Sequence, residues 1–327
     1  MKTRIKITDI EGIRIGNAQD YDAMTGVTVI LFDAENNGGV DVSGGGPASR
    51  EVHLLSPVTN RNSLHALVLS GGSAYGLDAS GGVMRYLEER GKGLHVANAI
   101  VPLVCQSCIF DLGIGNGKVR PDADMAYKAC ENAEQNEAIS GNVGAGTGAS
   151  VGKLLGIHRA QKSGIGYYAV QIGELKVGAV VVVNAVGDIF DYKTGRKIAG
   201  MLTEDRTEFA DAEEVMFQIK AEGAEGANTT IGAVFTNAAF DKADMNKIAS
   251  MARSAYSRCI NPVGTMADGD TIYAMSVGKV KADINMVGTL AATVLSEAIL
   301  DAVRSAKMEE KEFLSKIKES IIHCKVR

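Results

Sequence analysis

EGAEGANTTIGAVFTN, residues 222–237, runs from a loose stretch of Gly, Ala and Glu into an apolar, β-branched segment, and two threonines stand at the change. The second part, TTIGAVFTN (229–237), predicts a strand that is apolar on both faces. Similar strands are predicted at 25–32 (TGVTVILF), 64–70 (LHALVLS), 167–172 (YYAVQI), 175–185 (LKVGAVVVVNA) and 271–278 (TIYAMSVG). Helices are predicted over 73–90, 122–138, 211–221, 241–259 and 284–305, the last with Met286, Leu290, Val294, Ala298 and Val303 as its inward stripe. Strands covered on both faces and interleaved with helices predict an α/β arrangement with helices layered outside sheet. Only the run 221–228 has the composition of a linker, so residues 1–327 are read as one domain. The tail, 307–327, is charged and carries Phe313, Leu314, Ile317 and Ile321 at helical spacing, which predicts a peripheral helix or a packing arm.

The bulk numbers narrow the function. The chain has 327 residues, 46% hydrophobic and 22% charged, with a net charge of -5 that comes from mixed acids and bases rather than blocks. No basic face for nucleic acid and no membrane-attracted surface is indicated. The N-terminus lacks the apolar run of a signal peptide, and the longest apolar stretch, 177–183 with Gly178 inside it, is too short to span a bilayer, so a soluble, cytoplasmic protein is expected. Five cysteines predict reduced thiols; Cys105 and Cys108 form a lone CxxC, read as two small buried hydrophobes. The five histidines are scattered without HxH or HExxH spacing, and neither a metal nor a cofactor is expected. Glycine is the strongest compositional signal, with 38 residues gathered beside apolar segments at 38–46, 70–82, 113–117, 141–152 and 222–227.

The joint between Asn228 and Thr229 has a chemical reading as well as a structural one. A threonine hydroxyl is a weak nucleophile, and no GxSxG elbow or evident Ser-His-Asp set accompanies it. If the chain is cut before Thr229, the new α-amino group, with a reference pKa of about 7.7 to 8.0, becomes a base attached to the nucleophile itself. The plain alternative is a turn followed by a strand.

Six segments taken together decide between these. DVSGGGPASREVHLL (41–55), LVLSGGSAYGLDASGGVMRYLEERG (67–91), GNVGAGTGASVGK (141–153), VVVNAVGD (181–188), NTTIGAVFTNA (228–238) and DGDTIYAMSVG (268–278) resemble, in order, the blocks of the DmpA-like family of self-processing N-terminal nucleophile hydrolases. That family holds L-aminopeptidase/D-esterases, β-peptidyl aminopeptidases and nylon-oligomer hydrolases. The resemblance implies a four-layer αββα sandwich with its own connectivity, cleavage into a large subunit (1–228) and a small subunit (229–327), and a homo-oligomer of processed pairs such as a tetramer. It implies a small peptide or amide substrate hydrolysed through an acyl-enzyme on Thr229.

By the same resemblance, Asp268 and Asp270 match an acidic pair beside the nucleophile, and their DGD turn is expected to aim both carboxylates at the Thr229 amine and hydroxyl. Lys153 matches a lysine of the threonine branch, expected to stabilise an oxyanion or lower the amine's pKa. Asn184 matches an asparagine whose amide donates to the oxyanion. A tyrosine common in the family is missing, since QSCIFDLG offers only Ile109 or Phe110 there. Three other readings stay open: an acyltransferase of related architecture, like the ornithine acetyltransferases; a non-processing binding protein; and a nucleotide site at GAGTGA (144–149) or GASVGKL, each an imperfect match to a phosphate loop.

Overall fold

The apolar runs pair into two sheets that face each other. The computed structural model describes residues 1–60, 63–218 and 228–317. In chain order the strands of these sheets are β1 (Lys2–Ile5), β2 (Ile13–Asp20), β3 (Thr25–Phe32), β4 (Asn37–Val42), β5 (Ala48–Arg50), β6 (Ala66–Ser70), β7 (Val104–Cys108), β8 (Ile165–Ile172), β9 (Leu175–Asn184), β10 (Thr229–Ala238) and β11 (Thr271–Val280). One sheet has the order β1-β8-β9-β10-β11-β4 and the other β2-β3-β6-β7-β5. The helices are α1 (Ala79–Glu88), α2 (Ala123–Asn132), α3 (Ala212–Gln218), α4 (Lys242–Ala252), α5 (Ser254–Cys259), α6 (Ile284–Ser305) and α7 (Glu310–Lys316).

Side chains of a strand alternate between its faces, and here both faces are claimed. Val180 and Val182 of β9, with Ile231 and Phe235 of β10, meet Ile15, Ile30, Leu67 and Leu69 of the opposite sheet. Val177 and Val181 of β9 and Val234 of β10 face the other way, against Ile248, Tyr256, Leu295 and Ile299 of α4, α5 and α6. Val27, Val29 and Val68 likewise turn outward to α1 and α2. The result is helix, sheet, sheet, helix: the four-layer αββα sandwich expected.

Part of the glycine excess is explained by how closely the layers meet. A Cβ on Gly16 of β2 would lie 2.1 Å from the carbonyl oxygen of Ala129 in α2, and one on Gly166 of β8 would lie 2.1 Å from that of Ala298 in α6. The two helices rest their backbones on the strands, which only glycine permits.

The helix boundaries shift where local chemistry intervenes. Ser73–Asp78 forms a 3-10 turn before α1. Asp122 caps α2 by accepting from the Met125 amide, and that helix ends at Asn132, short of the expected 138. The segment 241–259 is two helices, α4 and α5. In α6 the inward stripe needs correction: Val294 and Ala298 are buried, but Met286 is 40% exposed. The inward face is Val287, Ala291, Val294, Leu295, Ala298 and Ala302. Steps of four residues turn about 400° on a helix of 3.6 residues per turn, so a stripe drawn at that spacing drifts off the face. By length and composition α6 is also apolar enough to cross a membrane, contrary to the expectation that no apolar stretch exceeds 177–183. The relevant window is 61% buried here, as in the core helix of a sandwich.

The tail is a packing arm over its described part. Phe313 and Ile317 are buried with Met24, Ile114 and Ala160, and Leu314 is partly buried against them. The Gly115 amide donates to the Lys316 carbonyl at 2.7 Å. The rest of the tail, with Ile321, and most of the run 221–228 lie outside the described residues.

Because α6 contacts β8 through backbone, Gly166→Ala is expected to push the helix off the sheet. Overpacking of this kind costs about 1 to 3 kcal/mol, which urea denaturation read by circular dichroism will show as a lowered midpoint.

Candidate active site

Strand pairing alone brings the predicted residues to one end of the six-stranded sheet. Asn184, the last residue of β9, lies opposite Thr229, the first of β10, in their antiparallel register. On the other side β10 runs parallel to β11, with Ile231 opposite Thr271. Continuing that register upstream places Asn228 beside Asp268 as a parallel bridge. Asn228, Thr229, Asp268 and Asp270 are buried.

The chain is continuous through Asn228 and Thr229, and the bond between them is crowded with polar atoms. The Thr229 hydroxyl donates to the carbonyl oxygen of Asn228. That same oxygen accepts from the Gly269 amide at 3.0 Å. A Cβ on Gly269 would sit 2.7 Å from Thr229 Oγ1, so glycine is required in the middle of DGD for the hydroxyl to be there at all. Among the described residues, Asn228 Oδ1 and Thr230 Oγ1 are two of five buried side-chain polar atoms without a hydrogen-bond partner, an unfavourable arrangement.

The acidic pair is placed differently from expectation. Asp270 accepts from the Thr230 amide at 2.7 Å through Oδ1 and from the Gly264 amide at 3.0 Å through Oδ2. Asp268 Oδ2 accepts from the Thr265 amide at 2.8 Å and from the Thr265 hydroxyl at 2.7 Å. Among the described residues neither carboxylate bonds to Thr229; Asp268 is tied to the turn at Thr265, and Asp270 to the Gly264 and Thr230 amides. They are not solvated turn acids either. Burial raises the Asp270 carboxyl to about 7, and the neighbouring charge of Asp268 adds to the rise. Burial also raises Asp268, against the pull of the Thr265 hydrogen bonds and of the Lys153 charge.

Asn184 and Lys153 form a second unit. Lys153 Nζ donates to Asn184 Oδ1 at 2.6 Å and to its carbonyl oxygen at 3.0 Å. The Ser150 amide donates to the same Oδ1 at 3.1 Å. The Asn184 amide, expected to face an oxyanion, instead donates to the Phe110 carbonyl at 3.0 Å. The amide that meets the Asn228 carbonyl is that of Gly269, while Asn184 accepts from the lysine. Burial brings the Lys153 ammonium down to about 7, opposed by the charges of Asp268 and Asp111. The site thus has two groups of opposite sign that titrate near neutrality.

Sequence reasoning missed three participants. Gly269 was legible only as a turn residue. Tyr256 of α5, fully buried, donates to the Thr230 carbonyl at 3.2 Å and steadies the strand start from the helix side; nothing in ARSAYSRC marks it. Asp111, next to the Phe110 that holds Asn184, is buried and accepts from the Gly72 amide and the Thr25 hydroxyl, both at 2.7 Å.

The remaining motifs do not join the site. Cys105 and Cys108 are buried on β7, with thiols pushed up to about 12 by burial. The GAGTGA run begins as a 3-10 turn and passes into a two-residue strand, Ser150–Val151, with no helix N-terminus for a phosphate. A cavity of 680 Å³ lined by Asn37, His65, Phe240 and Ser276 lies at the far ends of β10 and β11, remote from Thr229.

A four-layer αββα sandwich with a hydroxyl residue heading a central strand defines the class of N-terminal nucleophile hydrolase folds. Comparison agrees: the L-aminopeptidase D-Ala-esterase/amidase of Ochrobactrum anthropi superposes with a TM-score of 0.68 at 16% identity, covering 92% of this chain and 86% of that one. Residues 6–312 match the model of peptidase family S58, and the chain belongs to that family. It is similar to an uncharacterized aminopeptidase of Mycobacterium leprae, at 37% identity over 92% of this chain and 90% of the relative. It is similar also to a 6-aminohexanoate-oligomer endohydrolase of Agromyces, at 31% identity over 90% of this chain and 84% of the relative. The chain is a hydrolase of peptide or amide bonds.

A titration follows from the Asp270 burial. Its folded pKa lies above the unfolded carboxylate value of about 3.9, so the folded state holds a proton the unfolded chain has lost. Its contribution to stability is greatest below that unfolded value and falls as pH rises from about 4 toward about 7. Replacement by Asn removes this slope: the stability difference between wild type and Asp270→Asn, measured by urea denaturation, is expected to change by up to about 1.4 kcal/mol per pH unit, in the direction that disfavours wild type at higher pH.

Proposed function

We propose that the chain cleaves itself between Asn228 and Thr229, and that Thr229, then N-terminal, is the nucleophile that hydrolyses a small peptide or amide. The observation that carries this reading is the Asn228 carbonyl, whose oxygen meets both the Thr229 hydroxyl and the Gly269 amide. That places an attacking hydroxyl one atom from its target carbon and a hydrogen-bond donor where negative charge develops.

In the first stage Thr229 Oγ1 attacks the Asn228 carbonyl carbon, and its proton passes, directly or through water, to the carboxylate pair of Asp268 and Asp270. The Gly269 amide holds the oxyanion, and the Lys153 ammonium supplies positive charge nearby. The tetrahedral centre expels the Thr229 nitrogen, which takes a proton and becomes the α-amine, and leaves Asn228 esterified to Oγ1. Water hydrolyses the ester and frees residues 1–228 and 229–327.

In the second stage the α-amine accepts the Oγ1 proton as Thr229 attacks a substrate amide. The substrate oxygen takes the place left by the Asn228 carbonyl, again beside the Gly269 amide. The leaving amine departs with a proton, and water releases the acyl group from Oγ1. Lys153 and the carboxylates set the amine's basicity between them. The relatives' names cover aminopeptidases and an oligomer endohydrolase; the same chemistry serves both, with the substrate class set by the loops around the site. Processed pairs are expected to assemble as a homo-oligomer.

Mass spectrometry of purified protein tests the first stage. Wild type and Thr229→Ser are expected as two chains divided at Asn228, and Thr229→Ala as one chain without hydrolase activity. An undivided wild-type chain that still hydrolyses amides contradicts the proposal. Gly269→Ala crowds Oγ1, and a misplacement of about 1 Å slows such a reaction by about a hundredfold, which a gel time course of subunit appearance will register.

A further inference from the structure

We propose that Asp111 is a positioning residue for the reaction at Thr229: it locks the segment whose Phe110 carbonyl orients Asn184 and, through Asn184, the Lys153 ammonium. This rests on the reading of Thr229 as nucleophile and extends it to a residue outside the predicted set.

The segment following β7 is fastened on every side. The Ile109 amide donates to the Ser70 carbonyl at 2.8 Å, and the Ile109 carbonyl accepts from the Ser73 amide at 2.9 Å. One residue on, the Phe110 carbonyl accepts from Asn184. Asp111 then divides its carboxylate between Gly72 of one glycine-rich stretch and Thr25 of β3. Two further glycines leave room for it: a Cβ on Gly71 would lie 1.9 Å from Asp111 Oδ2, and one on Gly148 would lie 2.6 Å from the Asp111 Cβ. The glycine-rich runs at 70–82 and 141–152 thus close around one carboxylate rather than around a phosphate.

The carboxylate also faces charge. The charge of Lys153 acts on the Asp111 carboxylate, and Lys162 donates to the carbonyls of Gly146 and Ala149 in the 141–152 run and to that of Ser163. Burial lowers the ammonium groups of Lys153 and Lys162, and the Asp111 charge opposes this at both. Asp268 is the other anion acting on Lys153, and the Cys108 thiol, pushed up to about 12 by burial, also feels the Asp111 charge. Asp111 therefore has two separable effects, one geometric through Phe110 and Asn184 and one electrostatic through the lysine charge.

The test follows processing of freshly refolded full-length chain between pH 5.5 and 9, in wild type, Asp111→Asn and Thr25→Val, with thermal unfolding measured alongside. Asp111→Asn keeps the size and an acceptor but loses the charge. It is expected to slow processing at least tenfold at neutral pH and to move the alkaline limb of the profile to lower pH, because Lys153 gives up its proton more readily. Thr25→Val keeps the charge and loosens the carboxylate; it is expected to slow processing severalfold with the limb unmoved. Wild-type rate and profile in Asp111→Asn overturn the proposal, as does a slowing by the same factor at every pH, which a purely structural role gives. If Asp111→Asn does not fold, Thr25→Val decides: folded protein processing at the wild-type rate overturns the proposal. A wild-type chain that never divides overturns the nucleophile reading and this inference with it, whereas failure confined to the variants overturns the inference alone.

Discussion

The parallel register between β10 and β11 is the constraint on which the site depends. With Ile231 opposite Thr271, the chain upstream has little freedom: Asn228 falls beside Asp268, and the Gly269 amide falls under the Asn228 carbonyl. A slip of one residue would turn every side chain of β10 to the opposite face. It would also take Asp270 off the Thr230 amide. β10 cannot slip cheaply, because all ten of its residues are buried, some against the facing sheet and some against helices. The apolar sandwich is therefore what gives the polar site its geometry.

The polar groups at this end of the sheet are held in place by one another. Carboxyls of Asp268, Asp270 and Asp111 and the ammonium of Lys153 share a region from which water is largely excluded, and each would be costly alone. Most of their bonding capacity goes to backbone: Thr230, Gly264 and Thr265 amides for the two acids just before β11, the Gly72 amide for Asp111, and the Asn184 carbonyl for Lys153. Bonds of this kind fix the loops as much as the side chains. They also leave groups of both signs titrating near neutrality, as acid–base chemistry at ordinary pH requires. Among the described residues, Asn228 Oδ1 and Thr230 Oγ1 are buried without a hydrogen-bond partner, so the junction is less well satisfied than the acids beside it.

Much of the fold was legible because its strands are apolar on both faces and bounded by glycine or turn residues. TGVTVILF reads directly as β3, and the predicted 229–237 strand differs from β10 by one residue. Thr229, Asp268, Asp270 and Asn184 were legible as strand-end polar residues beside recognisable blocks, and they do converge. Their partners were not legible. That Asn184 gives its amide to Phe110, that Gly269 rather than Asn184 meets the Asn228 carbonyl, and that Asp111 collects two glycine-rich runs all depend on pairings between segments more than 30 residues apart. Sequence spacing carries no record of those distances. The α6 stripe failed for a simpler reason, since steps of four residues were followed on a helix that turns faster.

The central claim is that the sheet register presents the Asn228 carbonyl to the Thr229 hydroxyl for attack. N-terminal sequencing of the purified, catalytically active protein tests it most directly. The account predicts two sequences in equal amount, that of the start of the chain and a second beginning Thr-Thr-Ile-Gly-Ala. Active protein with a single N-terminus, or with its second sequence starting at any other residue, contradicts it.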